Sequence, residues 1–506
     1  MSQSNGVDVV LVNPGARTRI YQSLGTRLTA VENPVWAGLI ATFVRKQGYE
    51  VQVVDAEADE LTPVQIAECV DSIDPRLVVI VVYGHQPSAS TQNMTGASLA
   101  CTAIRQQRPS AKILMIGGHV AALPERTLRD ESCDFVAHDE GLQTIVDLLE
   151  ADRAGDTDYS KVRGLAYWTG GTLRQFRSNA AAPLVKDLDV NMPGISWDLL
   201  PMQKYRAHNW HCFGHLNREP YAALYTTLGC PYKCSFCCIQ APFKAGEKEL
   251  GLKETVNSYR FWSPERVIEE IDLLVNKYGV RNIKFADEMF VLNVRHVSAI
   301  CDLIVERGYD LNIWAYARID TVKDGMVEKL RRAGFNWLAF GIEAASDRVL
   351  SDVDKRYEVK QVYDTIAKVK AAGINIIGNY IFGLPEDDLD SMQQTLDLAL
   401  ELNTEFANFY SAMAYPGSAL YNQAGANGWP LPHTWSGYSQ HAVDTLPLPT
   451  KHLPAGEVLK FRDYAFHTYF THPSYLSYVE RRFGADTLAH IQEMATHRLE
   501  RKFAAA

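Results

Sequence analysis

Two stretches of the chain alternate between continuous apolar runs and amphipathic ones. In the first, VDVVLVNP (from Val7) is apolar at successive positions and ends in Asn-Pro-Gly, the pattern of a buried strand entering a loop. NPVWAGLIATFVRKQGY (from Asn33) has helical spacing and closes on Gly48. VQVVDA, LVVIVVYG and AKILMIGG follow as strands with helical segments between them. Val/Ile runs without polar alternation, separated by helices, predict a parallel sheet covered on both faces. This is a doubly wound α/β domain over residues 1–151. Ligands of such sheets bind at the C-terminal strand ends. Those ends read Asn13-Pro14-Gly15, Tyr83-Gly84-His85-Gln86, Gly117-Gly118-His119 and His138-Asp139-Glu140-Gly141. Glycine at each of them lets backbone approach a ligand closely. Each alone is a tight turn; several on one edge make a ligand shelf.

From 152 to 220 the pattern weakens. GLAYWTGGTLRQF predicts a hairpin with a Gly-Gly turn, followed by a linker rich in Pro, His and aromatics. A second alternation occupies 221–414. YAALYTT, NIKFA, LNIWAYA, NWLAFG, INIIGNYIFG and EFANFYSAMA read as six strands with helical segments between them. One of those helices has Ser263 as N-cap, Pro264 in its first turn and Gly279 as its stop. Six such units without an antiparallel signal predict a partial (β/α)6 barrel of the TIM type, with its site at the C-terminal strand ends. Residues 415–506 read as a small, mostly helical region.

Composition changes this picture little. The chain has 506 residues, 47% apolar and 22% charged, as ordinary globular proteins do. Its formal net charge of −10 and lack of a basic block argue against a nucleic-acid partner. No apolar run is long enough to span a bilayer and no signal peptide is evident, so a cytoplasmic protein is expected. In that compartment clustered cysteines point to metal or redox chemistry rather than disulfides.

Such a cluster follows the first strand of the second alternation. LGCPYKCSFCCIQ holds Cys230, Cys234, Cys237 and Cys238, four of the nine cysteines. Zinc ribbons need a second, distant ligand pair, which is absent. A thioredoxin-type motif does not carry a cysteine four residues upstream. Short loops of thiolates suit iron-sulfur clusters. Cys237 and Cys238 are adjacent and point apart in extended chain, which leaves three ligands and one open iron.

The Cys-x3-Cys-x2-Cys spacing, with Phe236 before the last cysteine and a six-unit barrel around it, resembles the radical S-adenosylmethionine enzymes. The resemblance implies a four-iron four-sulfur cluster on Cys230, Cys234 and Cys237. It implies S-adenosylmethionine on the fourth iron, contacted by Phe236, Asp287, Glu288, Arg318, Glu343 and Gly383. It also implies an electron donor such as flavodoxin or ferredoxin. The family's Gly-Gly-Glu is here Ala286-Asp287-Glu288. The doubly wound domain in front, with VVIVVYGHQPSAST, LMIGGHVAALPE and DFVAHDEG, resembles the cobalamin-binding branch of that family. Its implied cobalamin contacts are Asn13, Tyr83, Gly84, Gln86, Ser88, Gly117, Gly118, His119 and Glu140. The Asp-x-His-x-x-Gly motif that supplies a histidine to cobalt is absent, so no histidine ligand from that motif is expected.

The implied reaction is methylation of an unactivated carbon of a small-molecule biosynthetic intermediate, through a 5′-deoxyadenosyl radical and methylcobalamin. The alternative keeps both cofactors for cyclisation, rearrangement or dehydration. A methylthiotransferase would want more front-domain cysteines and a basic surface. A non-catalytic cofactor carrier fits two adjacent cofactor domains poorly. Candidate substrate contacts are His208, Trp210, His211 and Cys212; the plain alternative is an aromatic interdomain linker. Trp429, His433, Trp435 and His441 of the tail are candidates to close the pocket. Cys238 is expected to pack behind the loop.

Overall fold

The computed structural model describes residues 6–15, 17–25, 29–170, 174–214, 217–355 and 357–504. The front sheet is built from β1 (Val9–Asn13), β2 (Val51–Asp55), β3 (Leu77–Val81), β4 (Ile113–Ile116), β5 (Phe135–Ala137), β6 (Leu165–Trp168) and β7 (Phe176–Ser178), in the order β2-β1-β3-β4-β5-β6-β7. The first five are parallel, and β6 and β7 add an antiparallel hairpin at one edge. Part of the predicted Gly-Gly turn of that hairpin lies outside the described residues. Both faces of this sheet are buried, and alternate residues serve different cores. Val9 and Leu11 join one apolar cluster; Val10 and Val12 join another. That is why these strands read as unbroken apolar runs. The chain order reverses between β1 and β3, so the crevice for a ligand opens at Asn13 and Tyr83.

The second sheet has β8 (Tyr221–Leu224), β11 (Asn282–Phe285), β12 (Asn312–Ala317), β13 (Phe335–Glu343), β14 (Asn375–Phe382) and β15 (Phe406–Ser411), all parallel and in sequence order. Between β8 and β11 a two-stranded antiparallel ribbon pairs β9 (Thr227–Leu228) with β10 (Arg260–Phe261). The helix Pro264–Tyr278 starts on Ser263, whose side chain accepts the Arg266 N–H, and stops on Gly279 at φ +66°. The C-terminal region is helical, with Ala455–Phe470, Pro473–Phe483 and Ala485–Thr496 packed beside β15 and β14. No helix among the described residues is long and apolar enough to cross a membrane.

The second sheet is open, and side-chain amides cover its two edges. On β8, the Asn33 Nδ2 donates to the Ala223 carbonyl (3.0 Å) and its Oδ1 accepts the Ala223 N–H (2.7 Å). On β15, Gln440 does the same to Ser411, with both bonds at 2.9 Å. Each amide replaces one residue of a missing neighbour strand and satisfies backbone groups that would otherwise be unpaired. One amide comes from the front domain, the other from the tail.

The linker closes the barrel at the N-terminal ends of its strands. Trp210 packs its ring 5.0 Å from Trp314, 5.5 Å from Trp337 and 6.2 Å from Phe406. His211 Nε2 donates to the Asn312 carbonyl (3.0 Å), whose own side chain returns a bond to the His211 carbonyl (2.9 Å). Cys212 is buried against the carbonyl of Asn217.

Candidate functional site

The cysteine loop leaves β9 through Gly229, at φ +87°. A Cβ there would stand 2.4 Å from the Ser258 carbonyl, so this sharp entry needs glycine. The loop is held by its carbonyls. Gln240 donates to Cys230 O (2.8 Å); Asn257 donates to Cys230 O (3.1 Å) and Tyr232 O (2.7 Å). The thiols are free. Arg318, at the end of β12, points Nη1 at the Cys234 sulfur (3.7 Å) while Asp320 holds its Nε (2.7 Å). Burial pushes the Cys230 and Cys238 thiols up to about 12. Among the described residues no three His, Cys, Asp or Glu side chains converge on a single ion. An iron-sulfur cube takes one thiolate per iron and spreads its ligands wider than one ion does. Three free thiols on one pinned loop therefore fit such a cube better than a zinc ion.

Asp287 and Glu288, neighbours at the end of β11, are placed differently. Asp287 is fully buried and accepts the Thr226 N–H (3.1 and 3.0 Å) and the hydroxyls of Thr226 (2.7 Å) and Thr227 (2.6 Å). It fixes the strand that launches the cysteine loop. Glu288 lines an open cleft, and burial pushes its carboxyl up to about 8. Glu343 adopts φ +60° at the end of β13 and is ion-paired to the buried Lys355. Lys355 also faces the Phe236 ring at 5.9 Å. Gly383, at φ +81°, lies against Val458 of the tail, where a Cβ would come within 2.3 Å.

The cleft beside Glu288 has two walls. Tyr83, Gly84, Ser90 and Gly118 of the front sheet form one; Gly229, Cys238 and Ile239 of the cysteine loop form the other. Cys238 thus faces this cleft rather than packing behind the loop. Gly117, at φ +147°, would put a Cβ 2.3 Å from the Val82 carbonyl. A Cβ on Gly118 would stand in the cleft mouth, 3.8 Å from Pro242. Gly117 is thus needed for its close approach to Val82, and Gly118 leaves the shelf bare toward Pro242 of the cysteine loop. Trp36 stacks on Tyr83 at 4.1 Å and floors the shelf.

The remaining predicted cobalamin contacts divide. Gln86 donates to the Tyr316 hydroxyl of β12. Ser88 is half-buried at the start of the helix Ala89–Gln107. The Asn13 amide is held by Asp55 (2.8 Å) and Glu140 by Arg260 (2.5 Å), so both side chains are engaged within the protein. His119 is buried against Thr91 (3.1 Å) and the Trp435 ring of the tail (4.5 Å), and burial pushes it down to about 3. Its ring faces protein, not the cleft.

Side chains of the front domain, the barrel and the tail keep partial exposure among one another, and this outlines a chamber. Gln86 is exposed although its amide bonds a barrel residue. Tyr21, Glu32, His208, Tyr316, Tyr410 and His441 share this state of partial exposure deep in the molecule. Glu32 accepts from Tyr221 (2.6 Å) and Lys284 (3.0 Å) and faces His85 Nδ1 (3.2 Å). The other His85 nitrogen meets the Asn33 carbonyl (2.6 Å). Of the candidate substrate contacts, only His208 reaches the chamber; Trp210, His211 and Cys212 form the plug beneath it. Sequence reasoning missed Lys284 and Glu32, although a lysine in the middle of NIKFA, a strand buried on both faces, is itself a signal.

Family models agree with this architecture. A B12 binding domain model matches residues 22–149 and a radical SAM superfamily model matches residues 224–399. The chain belongs to the B12-binding radical S-adenosylmethionine enzymes. Within this family it is 29% identical to an uncharacterized methyltransferase of Pyrococcus horikoshii, over 92% of this chain and 93% of that one. It is 25% identical to the anaerobic magnesium-protoporphyrin IX monomethyl ester cyclase of Cereibacter sphaeroides, over 82% of this chain and 63% of the relative. Among solved structures it shares its fold with the cobalamin-dependent S-adenosylmethionine radical enzyme OxsB, with a TM-score of 0.69, 16% identity and coverage of 97% of this chain and 72% of that one. The fold shared with OxsB thus covers both sheets and the helical tail packed on β15.

Proposed function

We propose that the protein methylates an unactivated carbon of a small molecule, using cobalamin, S-adenosylmethionine and a four-iron four-sulfur cluster. The observation that carries this reading is the shared cleft. The glycine shelf of the front sheet and the cysteine loop of the barrel face each other with no element between them. The full-length similarity to a protein named as a methyltransferase supports it. Bound cofactors would supply a carbon-centred radical and a transferable methyl group.

The chain's own part is to hold and orient. Cys230, Cys234 and Cys237 would ligate the cluster on a loop that Gln240 and Asn257 keep rigid. Glu288 would take the ammonium group of S-adenosylmethionine, and Arg318 would balance charge beside Cys234. Phe236, Glu343 and Gly383 would complete the contacts to S-adenosylmethionine. Gly84, Gly117 and Gly118, with Tyr83, Gln86 and Ser88, would seat the corrin. Tyr225, through its bond to the His85 carbonyl (3.2 Å), ties the corrin shelf to the first barrel strand. An electron donor of the flavodoxin or ferredoxin type would reduce the cluster.

Anaerobic turnover should yield S-adenosylhomocysteine and 5′-deoxyadenosine together with a methylated product. The similarity to a cyclase favours a second reading, cyclisation without methyl transfer. A product formed with 5′-deoxyadenosine but no S-adenosylhomocysteine would select it.

A further inference from the structure

The chamber wall formed by β15 and the tail holds more positive charge than its own carboxylates balance. Arg462 and Arg501 are both buried and share one carboxylate, Asp463. Arg462 Nη1 takes Oδ1 (2.8 Å), and Arg501 takes both oxygens (2.9 Å each). Arg501 spends its remaining donor on Thr445 (3.0 Å) and the Ala442 carbonyl. Arg462 Nε donates to the Phe409 carbonyl (2.8 Å), which lays the guanidinium along β15 beside Tyr410. Its Nη2 has no hydrogen bond to another described residue. The triad carries one net positive charge at this wall, and Arg462 Nη2 is left for a further acceptor. Burial and the neighbouring Arg501 hold Arg462 below its ordinary value.

The surroundings are equally unfinished. Burial pattern along β15 alternates, so Asn408 and Tyr410 face the chamber and Phe409 faces the helices. Gln440, pinned on Ser411, sets His441 within electrostatic reach of Arg462. His441 Nδ1 is buried without a partner, and burial pushes the ring down to about 3, so it is neutral. Tyr21 from the front domain covers it, ring to ring at 4.9 Å. The hydroxyls of Tyr21 and Tyr410 make no hydrogen bond to a described residue. Donors without acceptors therefore converge from β15, the tail and the front domain.

We propose that Arg462, Tyr410, His441 and Tyr21 bind an anionic group, a carboxylate or a phosphate ester, carried by the substrate. The planar guanidinium and two phenol hydroxyls suit either oxyanion. The group would anchor the substrate on the β15 side of the chamber, across from the corrin shelf. This rests on the reading of the chamber as the substrate site, but its test is binding, so a failure of methyl transfer leaves it readable.

The experiment is calorimetric titration of the cluster- and cobalamin-loaded protein with acetate and, separately, with inorganic phosphate, in chloride at constant ionic strength. One of the two should bind saturably at one site per chain, and which one binds tells carboxylate from phosphate. Tyr410→Phe should weaken it about tenfold, the loss of one hydrogen bond to a charged group. Arg462→Met should abolish it. If Arg462→Met does not fold, Tyr410→Phe and His441→Gln together decide. Absence of saturable binding of either anion would overturn the proposal, as would equal binding in the variants. Binding seen only in cobalamin-free protein would assign the site to the cofactor's own phosphate and equally overturn it.

Discussion

Asp287 and Glu288 differ by one methylene and one position, and the turn that follows β11 gives them separate tasks. Asp287 turns away from the cleft and collects four hydrogen bonds from Thr226 and Thr227. Asp287→Asn should therefore cost about 2 kcal/mol, because a donor replaces an acceptor where only donors point; a lower urea midpoint checks it. Glu288→Gln should leave that midpoint nearly unchanged and weaken S-adenosylmethionine binding about tenfold, as loss of a charge-assisted bond does. The raised carboxyl gives a sign. Its folded value of about 8 lies above the ordinary 4.5, so its contribution to stability is complete below about pH 4.5 and is lost as pH rises through 8. The ionised form, the one that accepts an ammonium group, grows over the same range. Affinity for S-adenosylmethionine should rise between pH 6 and 9 in the wild type, measured by equilibrium binding, and stay flat in Glu288→Gln. At the same scale, Cys234→Ala should lose the cluster absorbance and Cys238→Ala should keep it. Persistence of a full cluster in Cys234→Ala would refute the ligand assignment.

Among elements, the edges of the open barrel decide most. Asn33→Ala strips both partners from Ala223 on β8, at about 1–3 kcal/mol. Faster hydrogen exchange at the Ala223 amide should accompany it, while Gln440→Ala should do the same at Ser411. Local signals made much of this level legible in advance. Ser263, Pro264 and Gly279 bracket a helix because caps act within one turn, and the apolar runs of both sheets follow directly from burial on two faces. The cysteine spacing is legible for the same reason, since its ligands sit within one short loop. Asn33 was not legible as an edge cap, because its partner is 190 residues away and nothing nearby demands an amide. Nor was the plug: Trp210, His211 and Cys212 look like site chemistry in one dimension and close the barrel floor in three.

At the scale of the molecule, two ionic contacts couple the two cofactor domains, Glu140 with Arg260 and one centred on Glu32. Glu32 of the front domain bonds Lys284 and Tyr221 of the barrel and faces His85, next to the corrin shelf. Glu32→Gln leaves Lys284 buried without a counter-charge and should cost about 3–5 kcal/mol. Adding Lys284→Met should recover most of that loss, and a double-mutant cycle on urea unfolding measures the coupling. Little coupling would mean the domains are joined by the aromatic plug and the amide caps instead.

Asn33 and Gln440 also decide what can be separated from what. The barrel's first strand is finished by an amide encoded long before it, and its last by one encoded after it. A polypeptide cut at residues 221 and 414 would display two bare strand edges and an unstoppered floor, a surface inclined to pair with other chains. Recombining the front half of one relative with the barrel of another would succeed only where Asn33 and its recipient strand travel together. For this architecture the heritable module is a barrel with its borrowed residues, and a cut placed by homology alone divides it.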